Sequence, residues 1–316
     1  MSNQLPFLLH LIDDESSSVR RAVATAILDL GEGLSRQVAA LDPQPNRAQL
    51  EAFGLLVDDP STYLLRLDWD CWQELEEENE RLEAALEQIS RFCGQRPHDA
   101  ALTAVLDRLA REYDGAHAER EAKSLAAFLF REDEGLRGNR EDYYNPLNSD
   151  LAHVITSRLG IPISLVCVYI LVAERLDIEV EGCNVPGHFL ARIETDDGAL
   201  LIDCFNGGRV LDGRIMLGDP SGNKGARFID SANLLASADD IIVRVLRNLV
   251  NAYERSEDEG RAAFMRELLE DLGAEPEPTP GSEDRPTESS QTDEDSGPSE
   301  PEADEWDEQG PSDGKA

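Results

Sequence analysis

Apolar residues recur three and four positions apart along most of this chain, which is the spacing of one face of an α-helix. The spacing predicts helices within the first thirty residues, from about residue 68 to 130, and from 238 to 272. Between about residues 185 and 205 the pattern changes to two apolar runs separated by Glu194-Thr-Asp-Asp-Gly198. Runs of this length around a turn-rich segment are typical of an antiparallel hairpin. The sequence therefore predicts an α+β fold that is mainly helical in its N-terminal region.

Two polar residues interrupt the apolar runs of the predicted hairpin. His188 lies in the run from Val185 to Ile193, and Asp203 lies in the run from Ala199 to Phe205. An imidazole or a carboxylate that is buried without a partner costs several kcal/mol, so each needs a hydrogen-bonding neighbour. We therefore expect His188 and Asp203 to be each other's partner.

The register of the hairpin decides whether these two side chains meet. A turn centred on Thr195 and Asp196 sets His188 directly opposite Asp203. A turn at Asp197-Gly198, which the residue preferences of two-residue turns favour, moves the pair out of register. A bulge restores contact in that case, and the sequence leaves both alternatives open.

The segments around the hairpin resemble a known family. Gly160-Ile-Pro-Ile-Ser-Leu165 opens an apolar helix, and Tyr143-Tyr-Asn-Pro-Leu-Asn-Ser-Asp150 precedes it. With Pro-Gly-His188 and Ile202-Asp-Cys-Phe-Asn-Gly-Gly208, this order resembles the SirB-type branch of the transglutaminase-like superfamily, most clearly over about residues 128 to 211. The resemblance implies a papain-like core in which a helix packs on an antiparallel sheet. It also implies a triad order of Cys at the start of the helix, then His and Asp on successive strands.

Ser164 stands at the position that is most like the family's nucleophilic cysteine. A hydroxyl at a helix start usually caps free backbone N–H groups. Cys167 follows three residues later on nearly the same face, where the helix dipole lowers the pKa of a thiol. Its neighbours are apolar, however, and a cysteine packs in such a run as a small hydrophobic residue. The candidate catalytic residues are thus Ser164, Cys167, His188 and Asp203.

These residues allow two functions. We favour a non-catalytic or degenerate interaction or scaffold protein that keeps the His188–Asp203 pair, because serine replaces the expected cysteine. The alternative is a cysteine or serine hydrolase or acyltransferase that acts on amide bonds, with Cys167 or Ser164 as nucleophile, His188 as base and Asp203 as the residue that orients it. A third class is an acidic assembly factor that binds a basic partner in a salt-dependent way.

The flanking regions suggest four parts. Residues 1–60 resemble one HEAT-type helical unit, and residues 61–237 form the transglutaminase-like domain with its helical lead-in. Residues 238–273 resemble half of a TPR-type array. A lone repeat has no neighbouring copy to bury its apolar face, so we expect both helical units to pack on the central domain. Residues 274–316 are rich in Pro, Asp and Glu and poor in aliphatic residues, which predicts a disordered acidic tail.

Composition limits the partners of this chain of 316 residues. It carries 65 acidic and 29 basic residues, a formal net charge of −36. Nucleic acids and anionic membranes bind clustered cations, so this charge argues against both and favours a protein partner. No apolar run reaches the ~20 residues that cross a bilayer. The five cysteines lack the paired spacing of a zinc site or a disulfide framework, so we predict no metal and a cytoplasmic location. The glycines lack the spacing of a phosphate-binding loop, so we predict no cofactor. The oligomeric state stays open.

Overall fold

The computed structural model describes residues 4–94, 101–131, 134–185, 187–217, 227–230 and 234–274. This part of the chain combines helices with an antiparallel sheet, so the predicted α+β class is confirmed. The tail predicted to be disordered lies outside the described residues beyond Ala274.

Five short helices form the N-terminal region around an apolar cluster of their own. Leu9, Ile27 and Phe53 are among the residues buried in this cluster. The sequence predicted two helices here, and the structure has three more after them. The helices are α1 (Leu5–His10), α2 (Ser17–Asp29), α3 (Leu34–Ala39), α4 (Arg47–Asp58) and α5 (Pro60–Asp68).

Helix α5 belongs to two apolar clusters. Tyr63 and Leu64 pack against the N-terminal cluster, whereas Leu65 is buried in the main core. Asp68, at the end of α5, forms an ion pair with Arg21 of α2. Burial raises the pKa of Asp68 above its usual value, although Arg21 acts in the opposite direction. The N-terminal region is therefore joined to the main core through α5.

The helix expected to begin at about residue 68 is interrupted, which corrects that prediction. A 3-10 helix spans Trp69–Glu74, and α6 (Glu78–Cys93) begins only after an extended segment. Trp69 and Trp72 are both buried, with their rings edge to face at 5.7 Å between centroids. Residues three apart eclipse in a 3-10 helix, which places both indoles on the same side. The 3-10 helix therefore allows both indoles to be buried together.

Helix α10 (Pro162–Glu174) is the centre of the main core. Every residue from Pro162 to Ala173 is buried, as expected for a helix that is apolar on all sides. Proline suits the first helical position because it donates no N–H group there. The helices that surround it are α7 (Leu102–Ala116), α8 (Ala122–Leu129) and α9 (Leu151–Ser157).

A five-stranded antiparallel sheet packs against α10. Its strands are β3 (Glu181–Val185), β4 (His188–Thr195), β5 (Gly198–Asp203), β6 (Arg209–Asp212) and β9 (Leu235–Ala236). The strand order is β6-β5-β4-β3-β9, and β4 makes the main contact with the helix. Two small pairs lie outside it: parallel β1 (Arg137–Gly138) with β2 (Leu159–Gly160), and antiparallel β7 (Arg214–Leu217) with β8 (Arg227–Asp230).

The turn between β4 and β5 corrects both registers considered from the sequence. Thr195 pairs with Gly198, so Asp196 and Asp197 form the turn. Gly198 has a φ of +112°, a conformation that glycine adopts more readily than other residues. The same register pairs Ala191 with Ile202.

Two antiparallel helices complete the fold. They are α11 (Ala238–Arg255), which begins with a Ser237 capping box, and α12 (Glu259–Asp271). Both pack in the same apolar cluster as α6 and α10, where the ring of Phe92 contacts those of Tyr253 and Phe264. Among the described helices, none combines the length and the hydropathy needed to cross a membrane.

Candidate functional site

His188 and Asp203 are in contact. The distance from Nε2 of His188 to Oδ1 of Asp203 is 3.1 Å. The register makes this possible, because the two residues occupy diagonal positions on the same face of β4 and β5. Diagonal neighbours on adjacent strands lie within reach of long side chains. The pair does not have the geometry of a well-aligned hydrogen bond, so it is described as a close polar contact.

Asp203 is held by the segment that follows β5. Its carboxylate accepts hydrogen bonds from the backbone N–H of Asn206 at 3.1 Å and from Nδ2 of Asn206 at 2.7 Å. Burial opposes ionisation of Asp203, but His188 and the two Asn206 donors outweigh that effect and hold its pKa below the usual value. Asp203 is therefore a carboxylate under ordinary conditions, oriented from both sides.

The second ring nitrogen of His188 has no hydrogen-bond partner among the described residues. Both ring nitrogens are shielded from solvent, although the side chain as a whole is 20% exposed. In a catalytic triad, one imidazole nitrogen faces the carboxylate and the other faces the nucleophile. The described part of the structure thus contains the orienting half of a triad without a nucleophile bonded to the imidazole.

Ser164 lies in the first turn of α10, and its hydroxyl is engaged there. Its Oγ accepts a hydrogen bond from the backbone N–H of Ile161 and donates to the carbonyl of Ile161, both at 3.0 Å. The residue is 1% exposed. Gly160 is closely packed against it, since a Cβ added at Gly160 would lie 2.8 Å from Oγ. These contacts are those of a helix-capping residue.

Cys167 is fully buried one turn further along α10. Burial raises the pKa of its thiol to about 12, which is the opposite of what an activated nucleophile requires. Cys204, next to Asp203 in sequence, is also fully buried, and burial raises its pKa well above the usual value. Both thiols are therefore neutral packing groups in this structure.

Two further residues belong to this site. Asn206 supplies both donors to Asp203, and its Oδ1 accepts a hydrogen bond from Arg140. The Arg140 guanidinium lies over the Phe205 ring, 5.0 Å from its centroid. The Asn-Gly-Gly sequence at 206–208 signals a turn, and only the folded chain shows that this turn positions Asp203. Nothing in the spacing of Arg140 indicates its role.

Within the described residues, no three His, Cys, Asp or Glu side chains converge as a metal site.

Residues 96–247 match the family model described as the transglutaminase-like superfamily. This matched part of the chain, which includes His188 and Asp203, is similar to that superfamily.

Several curated proteins are similar to parts of this chain. A UPF0162 protein of Xylella fastidiosa is 43% identical over 134 residues, which is 41% of this chain and 48% of that protein. A UPF0162 protein of Vibrio cholerae is 30% identical over 107 residues, 32% of this chain and 40% of that protein. F-box only protein 21 of Mus musculus is 43% identical over 83 residues, 24% of this chain and 13% of that protein.

The matched part of the chain spans about half the length of the first of these relatives, at 48%. No solved structure shows significant similarity to this chain.

Proposed function

We propose that this chain is a SirB-type member of the transglutaminase-like superfamily that binds another protein without cleaving it. The observation that carries the proposal is the state of His188. Its imidazole contacts Asp203 on one side, and its other nitrogen has no partner among the described residues. Ser164 caps a helix and Cys167 is buried with a raised pKa. The pair is then a retained structural feature of the superfamily site.

The similarity to F-box only protein 21 supports an interaction role. A segment of 83 residues that forms 13% of a much longer protein behaves as a module that can be combined with other parts of a chain. We further propose that the HEAT-like helices of residues 1–60 and the TPR-like pair of residues 238–273 flank this domain, residues 61–237. We place the protein in the cytoplasm, with a protein partner and no nucleic acid.

The rival function is a cysteine hydrolase with Cys167 as nucleophile and His188 as base. It requires local opening of the first turns of α10, because Cys167 is inaccessible in the described structure. A thiolate beside an imidazolium reacts with alkylating reagents even in mildly acidic buffer. The reactivity of Cys167 therefore separates the two functions.

The first prediction concerns thiol labelling with iodoacetamide at pH 6.5. We expect the native protein to label at Cys71 only, because Cys71 is exposed and the other four cysteines are buried. Cys167 should react at least roughly 100-fold more slowly than Cys71, since it reacts only during local opening. Mass spectrometry of the digested protein measures each site, and denatured protein, which should label at all five, is the internal control.

Fast labelling of Cys167 in the native protein that is slowed in the His188→Ala variant would overturn the proposal in favour of the hydrolase. A fluorophosphonate probe tests Ser164 in the same way. Labelling of Ser164 that depends on His188 would identify a serine nucleophile, and the Ser164→Ala variant is the matched control.

A further inference from the structure

A small pocket lies between α11, the segment of residues 143–149 and the start of α10. It encloses about 20 Å³, enough for roughly one water-sized polar group. Neither His188 nor Asp203 lines it. The lining residues are Tyr143, Tyr144, Asn145, Ser149, Ile161, Asn248, Asn251, Ala252 and Arg255.

The charge of this pocket differs from that of the chain as a whole. The chain has 65 acidic and 29 basic residues, yet the lining contains no Asp or Glu and includes one arginine. Its other polar groups are amides and hydroxyls, which are uncharged. A negatively charged group is therefore opposed by the overall charge of the protein but attracted by the lining of this pocket.

Arg255 carries the positive charge. Its guanidinium lies over the ring of Tyr144, 3.9 Å from the centroid, and no carboxylate of the described residues is within ion-pair distance. Nearby arginines are different, since Arg266 is paired with Glu254 and Arg66 with Glu267. Stacking on an aromatic ring fixes the plane of a guanidinium and leaves its N–H edge available for two parallel hydrogen bonds to a carboxylate.

Asn248 and Asn251 extend the polar face of α11 next to Arg255. The positions 248, 251 and 255 are three and four apart, so they share one face of the helix. Both asparagines are half-buried and line the pocket. Each amide offers a donor and an acceptor, which matches the N–H and C=O groups of a peptide unit.

The pocket contacts the same segments as the candidate site. The ring of Tyr143 packs edge to face on Phe205, with 6.1 Å between centroids, and Phe205 is two residues from Asp203. Ile161 precedes the first residue of α10 and bonds with Ser164. A ligand in the pocket would thus touch the scaffold that holds His188 and Asp203.

We propose that this pocket receives one oxygen of a peptide carboxylate, which the exposed Arg255 binds at the rim. The adjoining peptide unit then lies over the open side of the pocket, beside Asn248 and Asn251. The carboxylate is that of a chain end or of an acidic side chain. The identification of the ligand as part of a protein partner rests on the proposed interaction function, whereas carboxylate binding at Arg255 stands on the pocket alone.

Binding is tested with two pairs of probes. N-acetyl-triglycine with a free C-terminal carboxylate is compared with its C-terminal amide, and N-acetyl-glutamic acid α-amide with N-acetyl-glutamine α-amide. The full chain is labelled with 3-fluorotyrosine, and ¹⁹F NMR follows its six tyrosines. Tyr143→Phe and Tyr144→Phe variants assign the two pocket signals. We expect these signals to shift with at least one free acid and with neither amide, and the acid that acts identifies the source of the carboxylate.

The Arg255→Gln variant should bind the active acid about tenfold more weakly or worse, the usual effect of losing a charge-assisted hydrogen bond. Arg111→Gln, which removes an exposed arginine of α7 outside the pocket, is the matched control and should bind as the parent does. Equal shifts with acids and amides, equal binding by the Arg255→Gln variant, or no shift with any probe would overturn the carboxylate site.

These outcomes are independent of the thiol test. A reactive Cys167 would remove the non-hydrolytic function and leave the carboxylate site standing. If no probe shifts the pocket signals and Cys167 is unreactive, the carboxylate site is wrong and the non-hydrolytic function stands.

Discussion

Replacing Asp203 with alanine is expected to lower the free energy of unfolding by about 2 to 4 kcal/mol, because several polar groups, among them a solvent-shielded imidazole nitrogen, lose the carboxylate they contact. Those groups are Nε2 of His188 and the backbone and side-chain N–H groups of Asn206. Ser164→Ala removes one helix-capping hydroxyl and should cost about 1 kcal/mol. Urea denaturation measures both variants. A larger loss for Ser164→Ala than for Asp203→Ala would show that Asp203 does not hold its surroundings together.

The contribution of Asp203 to the free energy of unfolding depends on pH, because the pKa of Asp203 is lowered in the folded protein. A carboxylate with a lowered pKa in the folded state stabilises the protein above its unfolded pKa of about 3.9, and this contribution is lost as the pH falls through the folded-state value. The Asp203→Asn variant keeps an acceptor oxygen without the charge. Its deficit relative to the parent should thus be largest near neutral pH and should shrink below about pH 4.

Leu171→Ala in α10 is expected to cost about 2 to 5 kcal/mol, because it opens a cavity in the most enclosed helix of the core. Leu171 is fully buried, and α10 contacts β4, the strand that carries His188. Leu55→Ala in α4 is the matched control, since Leu55 is 65% exposed. Thermal or urea unfolding measures both. A similar midpoint for the two variants would mean that α10 is not the packed centre described above.

Much of the fold follows from the hydrophobic pattern alone. The apolar run from Ile161 to Ala173 is polar on no face, so it can only be a buried element, and its length suits a helix. The two runs that flank Asp196 and Asp197 are short enough for strands. The pattern gave the wrong helix type around Trp69 and Trp72, because the apolar spacing continues unchanged where the chain forms a 3-10 helix. Spacing of three fits both a 3-10 and an α-helix.

The hairpin register could not be chosen from residue preferences. Two-residue turns favour Asp-Gly, whereas the chain places Asp196 and Asp197 in the turn and Gly198 at the start of β5. Burial of one face of each strand fixes the register more strongly than turn preference does, since a slip by one residue would move Ile202 to the opposite face.

The candidate site was predictable in one half only. The cost of burying an imidazole and a carboxylate makes a His188–Asp203 contact the natural expectation, and the two side chains are in contact. The other half depends on what surrounds the second nitrogen of His188 and on whether the Ser164 hydroxyl is free. Both are properties of tertiary packing, which neither the spacing nor the residue types contain. The catalytic role of Ser164, Cys167, His188 and Asp203 stays a prediction until the labelling experiment is done.

The sharing of α5 between two apolar clusters determines how cooperatively this chain unfolds. Its side chains Tyr63 and Leu65 face different clusters, so the N-terminal helices cannot separate from the main core without exposing α5. Part of that connection is the ion pair between Arg66 of α5 and Glu267 of α12. Both side chains are exposed, so their attraction is sensitive to ionic strength. We expect high salt to weaken this ion pair. The junction therefore governs whether the molecule loses its structure in a single transition or in two.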